Sequence, residues 1–524
     1  MTLLKLLLEG ATLLLVSRLI FNAFTSYRSK IPAAHWSANF SSAWILWIRY
    51  IFKEVSTIDQ AHSKLGPVIR LAPHEVSVNC VKGGILTVYA GGFDKHPWYA
   101  NLFDNFGIPN MFSTSAGKPH SERKRMLSNI YSKSYIQNSG TMTSITKILL
   151  FDRLLPKLQS LSKASQPFDI YAVISATTMD FVTAYLFGLS PSSNFLSDDE
   201  IRDKFLVNYT SRHSYNYFPQ ELPGLTNTLK AIGVRLVPTW VDAANESIGS
   251  WTLRMCDDAD AFVNSEKGLK QKDAADPDIP ETFRQLRTAM TKRDGNDNAV
   301  KEYQRLAIGS EMLDHLAAGF DTSGITLAFY VHELSKRPGL QRALHKELLT
   351  LEQPILIGKG RTDHGLPSAK VLDALPLLQA TLQETLRLRS AIPGPQPRVT
   401  PTKGCTLGPD QEYFVPGGVR ISAQAHSLHR NPEVFDDPET WRPERWLENS
   451  PEKLKDMNRW FWAFGSGGRM CVGSNLALYQ MKYIIAALYS NWTIEIEDDE
   501  GFKQRDLYTA PPESGKLIVK LHTV

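Results

Sequence analysis

Two stretches of the chain carry apolar residues at every third or fourth place. They run from about Met142 to Phe187 and from Gln304 to Lys336, and both predict helices. Pro338 ends the second. A shorter amphipathic run, Leu377 to Arg389, predicts a further helix. Gly66 to Val78 predicts two short strands around a turn at Pro73. Between the long runs, Asn264 to Pro280 is polar and rich in Lys, Asp, Ala and Pro, which predicts a mobile surface connection. From about Leu375 onward, helix gives way to short strands and turns, closed by one last helix. No internal repeat is evident. The expected fold class is mainly α with a small β portion.

The N-terminus departs from this pattern. Leu6 to Phe24 holds eleven residues of the Leu/Ile/Val/Phe type, interrupted by Glu9 and Arg18. The eleven favour insertion into a bilayer by roughly 5 kcal/mol, and each charge costs about 3 kcal/mol at the centre, so the segment balances near zero. Arg28, Lys30 and Pro32 follow, a basic flank and a breaker before the folded body. No small-residue cleavage site stands out. The expectation is a retained membrane anchor over residues 1–30 and one large body over 31–524.

Composition narrows the function classes. A length of 524 residues suggests three or four domains at ~150 residues each, but no linker divides the chain. The net charge of +4 is small for this length, and no dense Lys/Arg run points to nucleic acid. Cys80, Cys256, Cys405 and Cys471 are far apart, with no CxxC pair, which disfavours zinc and iron–sulfur sites and fits a reducing compartment. Asn39, Asn208, Asn245 and Asn491 begin N-x-Ser/Thr triplets, which occur by chance in a body facing the cytosol.

One cysteine stands apart. Cys471 lies in Phe464-Gly465-Ser466-Gly467-Gly468-Arg469-Met470-Cys471-Val472-Gly473. Glycines let the backbone approach a flat ring and turn N–H groups toward a sulfur. Such N–H groups stabilise a thiolate and tune a metal that it binds. Arg469 offers a fork of donors to a carboxylate at a ring edge, and Phe464 can cover the ring.

The run resembles the haem-binding signature of the cytochrome P-450 family, Phe-Gly-x-Gly-x-Arg-x-Cys-x-Gly, at every specified place. Ser474-Asn475-Leu476-Ala477 resembles the start of the helix beneath the haem in that family. The resemblance covers nearly the whole chain. It implies a single large P-450-type fold with heme b bound through the Cys471 thiolate, Phe464, Gly465, Arg469 and Gly473 forming its seat.

Other motifs agree with it. Glu384-Thr385-Leu386-Arg387 places two charges on one helix face. With Pro443-Glu444-Arg445-Trp446 it resembles the family's buried charge network, so Glu384, Arg387 and Arg445 are expected to be structural. Ala318-Gly319-Phe320-Asp321-Thr322-Ser323 resembles the oxygen-activating motif. There Gly319 would leave room for a ligand, Thr322 could bond a carbonyl one turn back and open the helix groove, and Asp321 with Thr322 would pass protons. His120-Ser121-Glu122-Arg123-Lys124-Arg125 aligns with the WxxxR motif. It has His for Trp, a fungal habit, and Lys124 for Arg. His120, Lys124 and, in competition, Arg125 become candidates for a propionate. Arg398, after Pro393-Gly394-Pro395-Gln396-Pro397, is another.

The implied activity is a fungal-type, microsomal haem-thiolate monooxygenase acting on a small apolar organic substrate, in keeping with secondary metabolism. Its electrons would come from NADPH-cytochrome reductase, meeting basic residues such as Arg123, Arg125 and Arg459, and cytochrome b5 is a second candidate donor. The body would face the cytosol from the endoplasmic reticulum membrane. Pocket residues are expected near Phe103 to Ser115, Met312 to Phe320, Ala391 to Gln396 and Tyr508 to Pro512. The alternatives are a haem-thiolate isomerase or dehydratase that needs no reductase, and a haem-binding protein without catalysis. Reductase-dependent NADPH turnover separates them from the main reading.

Overall fold

The computed structural model describes residues 2–270, 275–295, 297–358 and 365–524. Helices dominate, and small sheets lie at the periphery. The centre is a pair of helices. Ile170–Phe187 is buried along almost its whole length, and it packs along the long helix Asn298–Ser335. Such all-round apolarity befits a helix enclosed on every side. Among the described residues it is also the one helix long and apolar enough to cross a membrane, yet 89% of that window is buried inside the protein. It is therefore a core helix.

The apolar run from Met142 to Phe187 is not one helix. It stops at Ser165, whose backbone is left-handed (φ 53°), and the strand Phe168–Asp169 follows. This strand pairs antiparallel with Ile518–Thr523, which in turn pairs with Trp492–Asp498. The break answers to a partner at the far end of the chain, beyond the reach of a local periodicity. The second run held: the long helix passes through Gly319 and Thr322 without interruption, and Pro338 opens the next helix, Pro338–Leu348. A proline costs nothing in a helix's first turn.

The expected hairpin is present. Val68–Ala72 and Glu75–Val78 are antiparallel, Val68 opposite Val78. Glu75–Val78 then pairs in parallel with Arg420–Ser422, which pairs antiparallel with Arg398–Val399. That sheet fixes Arg398. Within the polar connection, Glu266–Lys270 is helical, and residues 271–274 lie outside the described residues. Asn491, which begins one of the chance triplets, is buried, and its Nδ2 donates to the carbonyls of Ile355 and Ala487 at 2.8 and 2.7 Å.

The N-terminal helix Thr2–Arg28 leaves Leu13, Leu14, Ile20 and Phe21 exposed. Its C-terminal end is tied to the body, with Asn22 Nδ2 donating to the Phe40 carbonyl at 2.9 Å.

Candidate active site

Cys471 sits on a loop closed on itself. Its N–H donates to the Phe464 carbonyl at 3.0 Å, and the Met470 N–H donates to Gly467 at 3.1 Å. Gly465 and Gly467 both take positive φ, 69° and 71°. A side chain at Gly467 would strike the Tyr89 carbonyl oxygen at 2.2 Å, so no other residue fits there. Beside Gly465 and Gly473, by contrast, nothing lies within 4 Å of a built Cβ, which leaves clear space along the loop.

Gly473 caps the helix Ser474–Tyr489, so Cys471 precedes a helix N-terminus. Burial pushes its thiol up, while the N–H groups of Gly473 and Ser474 and the Lys124 ammonium pull it down. The other cysteines have no backbone N–H groups turned on the sulfur. Burial raises Cys80 to about 12 and Cys405 to about 11, and Cys256 higher still. A reactive or metal-binding thiol needs positive surroundings, and Cys471 has two N–H groups and an ammonium around it.

Cys471 lines a cavity of about 250 Å³ that Thr322, on the long helix, also lines. Besides His315, which lies beside Glu311, five basic side chains gather at it: Lys95, His120, Lys124, Arg398 and Arg469. Arg469 donates to the carbonyl of Thr114 at 2.6 Å and also to that of Ser115. Lys124 Nζ donates to the carbonyls of Gly468 and Met470 at 2.9 and 3.0 Å, which ties it to the cysteine loop. Arg398 donates to Tyr99 Oη at 3.2 Å. Burial and then mutual repulsion hold Lys95 well below the usual range, Arg469 down to about 10 and His120 down to about 3. Among the described residues, the carboxylate within ion-pair distance of this group is Asp94, 4.0 Å from Arg469. An excess of buried positive charge calls for anions. A flat apolar ring with two carboxylates on one edge meets that need, and the cleared loop beside Cys471 accommodates its face. The donor set therefore fits haem.

The family model described as Cytochrome P450 matches residues 46–519. The chain belongs to the cytochrome P450 family. Membership implies a haem-thiolate iron centre. Curated relatives include cytochrome P450 monooxygenase avaI of Aspergillus versicolor, 28% identical over 80% of this chain and 94% of the relative. Cytochrome P450 monooxygenase hkm5 of Aspergillus hancockii is 25% identical over 96% of this chain and 92% of the relative. Cytochrome P450 monooxygenase FGM1 of Gibberella zeae is 25% identical over 83% and 80%. Family and relatives together support a monooxygenase.

Not every candidate residue of this cytochrome P450 reaches the cavity. Phe464, Gly465, His120, Lys124, Arg398, Arg469, Cys471 and Gly473 line it, with Thr322. Arg125 is exposed and does not. His120 and Lys124 are four apart and share a helix face, and the next residue turns about 100° away, toward water. Asp321 is buried on another face of the long helix, with Tyr209 Oη donating to it at 3.4 Å, and burial pushes its carboxyl up to about 6. It does not line the cavity that Thr322 lines. Thr322 Oγ1 donates to the Ala318 carbonyl at 2.7 Å without opening the helix.

Gly319 lines the cavity and also serves packing. A Cβ there would meet Val182 Cγ2 at 2.5 Å, so the glycine lets the two central helices touch. Of the basic residues suggested for electron-donor docking, Arg459 and Arg125 are exposed. Arg123 is not available: it donates to Glu311 at 3.2 Å and is 16% exposed.

Other contributors were silent in the sequence. Lys95 Nζ donates to the Phe112 carbonyl at 2.6 Å and lies 3.6 Å from the Phe112 ring centroid. Gln480 bridges the two helices flanking the cavity, donating to Gly319 O at 3.2 Å and Ser323 Oγ at 2.7 Å. No motif marks either residue.

Proposed function

We propose that this cytochrome P450 inserts one atom of dioxygen into a small, largely apolar organic substrate of fungal secondary metabolism. NADPH supplies electrons through a separate reductase, with cytochrome b5 as a second donor. Bound as heme b, the cofactor would supply the oxygen chemistry, the second oxygen atom leaving as water. Cys471 would hold the iron, and the charge of the thiolate favours O–O cleavage. His120, Lys124, Arg398 and Arg469 would bind the propionates. Thr322 Oγ1, inside the cavity, would hold and pass the proton, with Asp321 behind it as a reserve of protons.

The observation that carries this reading is the joint lining of one cavity by the Cys471 loop, Thr322 and a basic group short of counter-charge. The exposed leucines of Thr2–Arg28 support an anchor in the endoplasmic reticulum membrane, with residues 31–524 facing the cytosol. Exposed Arg125 and Arg459 support docking of the reductase. The test is turnover with NADPH, reductase and ¹⁸O₂: label in product, dependent on reductase, is expected. Product formation that needs neither would favour an isomerase or dehydratase.

A further inference from the structure

An outer chamber of about 580 Å³ adjoins the cavity at Cys471, and Asp314 and Tyr508 line both. Where the two meet, the walls are aromatic. Ring centroids of Phe103 and Tyr508 lie 5.4 Å apart, and those of Phe103 and Phe112 lie 5.0 Å apart.

Of the six carboxylates lining the chamber, Glu246 is exposed and three have partners. Glu221 pairs with Arg49 and Arg420 at 3.0 and 2.9 Å, and Glu54 pairs with Arg49 at 2.7 Å. Asp506 accepts the Val55 N–H at 2.8 Å. Two others differ. Among the described residues Asp314 makes no ion pair and no hydrogen bond through its carboxylate, and Oδ1 of Asp104 is buried without a partner. They belong to neighbouring elements: Asn105 Nδ2 donates to the Ser310 carbonyl at 3.2 Å, one turn before Asp314 on the long helix. Burial raises the Asp314 carboxyl to about 7, with His315 and Lys95 opposing and Glu311 adding. Lys95 is not its partner, since its ammonium is spent on Phe112.

The outer chamber is lined by polar as well as apolar groups, but at its aromatic junction with the inner cavity a carboxylate covered by a ligand loses hydration and gains nothing unless that ligand supplies a donor. A neutral hydrocarbon would bury Asp314 unpaired. A protonated amine would regain a charge-assisted hydrogen bond there, and the ring faces around it favour a cation further.

We infer that Asp314, with Asp104 on the neighbouring loop, anchors a protonated amine, so that the substrates are apolar, ring-bearing compounds with one basic nitrogen. This rests on the monooxygenase reading above and names its substrate class. The geometry also bounds where such a substrate is oxidised. Asp314, Ala318 and Thr322 follow one another at four-residue intervals, so Asp314 lies about 12 Å from Thr322 along the helix axis. The oxidised carbon falls within about that distance of the nitrogen.

The test uses the haem-loaded full chain. It is titrated by calorimetry with phenylalkyl dimethylamines of graded chain length, each against the hydrocarbon carrying an isopropyl group in place of the dimethylamine. Wild type should prefer the amine about tenfold or more in the best-fitting pair. Asp314→Asn should bring that ratio near one while the hydrocarbon still binds, and Asp314→Glu should keep the preference. The carbonyl spectrum of each variant reports intact haem. The proposal is overturned by absence of amine preference in every pair, by preference that survives Asp314→Asn, or by equal loss of both ligands in that variant. Lack of a thiolate-type spectrum in wild type would instead overturn the monooxygenase reading beneath it.

Discussion

Arg387 grips Glu384 with two hydrogen bonds, Nε to Oε2 at 2.9 Å and Nη2 to Oε1 at 2.8 Å, and neither side chain reaches solvent. Arg445 Nε adds a third at 3.0 Å and Trp446 Nε1 a fourth at 2.9 Å. Removing one partner leaves a buried charge uncompensated, at roughly 3–5 kcal/mol. Glu384→Ala, Arg387→Ala and Arg445→Ala should each unfold at lower temperature and lose haem. Thermal unfolding with haem quantitation checks this. A variant that folds, keeps haem and fails only in turnover would contradict the structural role.

Gly319 and Val182 are predicted to be coupled. Gly319→Ala forces a methyl group into Val182 Cγ2. Overpacking of this kind costs about 1–3 kcal/mol. Val182→Ala should recover part of it, giving a favourable interaction energy in a double-mutant cycle read by denaturant unfolding. Additive effects would mean that the helices do not need the glycine.

This pair shows where sequence reading ends. The cysteine loop was legible because its chemistry is local: glycines, arginine and thiolate lie within ten residues. Glu384 and Arg387 were legible for the same reason, three apart on one helix. Trp446's bond to Glu384 and Val182's contact with Gly319 join distant parts of the chain, and no local spacing encodes them. The strand at Phe168, paired with Val519, broke a helical pattern for that reason too. Asp321 and Thr322 are adjacent in sequence, but neighbours on a helix point about 100° apart, so a motif read as one unit divides between two faces. Lys95 had no pattern to mark it, and Asp314 fell inside the expected pocket stretch Met312 to Phe320 without being singled out there.

The carboxyl of Asp321 makes the fold sensitive to pH. Its ionisation is raised from an ordinary 3.8 to about 6 by burial. The folded state therefore binds the proton more tightly than the unfolded chain. Stability from this group is full below pH 3.8 and falls as pH rises to about 6. Asp321→Asn removes that loss, so the variant should gain stability over wild type above pH 6, by about 3 kcal/mol at most, and little below pH 4. Unfolding temperatures across this range decide it. An unchanged difference at all pH values would contradict the burial effect.

Thr322→Ala should leave substrate affinity nearly intact, because the contacts that hold an apolar substrate lie along the chamber. Proton delivery at the Thr322 hydroxyl is lost. Product per NADPH should fall and hydrogen peroxide should rise, all three measured in one reaction with reductase. Unchanged coupling would assign the proton to another group, Ser323 or Asp321.

The most direct measurement is the absorbance of the reduced, carbonyl-bound protein for wild type and Cys471→Ala. Wild type should show the band of a thiolate-ligated haem, and Cys471→Ala should lose it, whereas Cys80→Ala, Cys256→Ala and Cys405→Ala should keep it. A thiolate-type spectrum that persists in Cys471→Ala would contradict the assignment of Cys471 as the iron ligand.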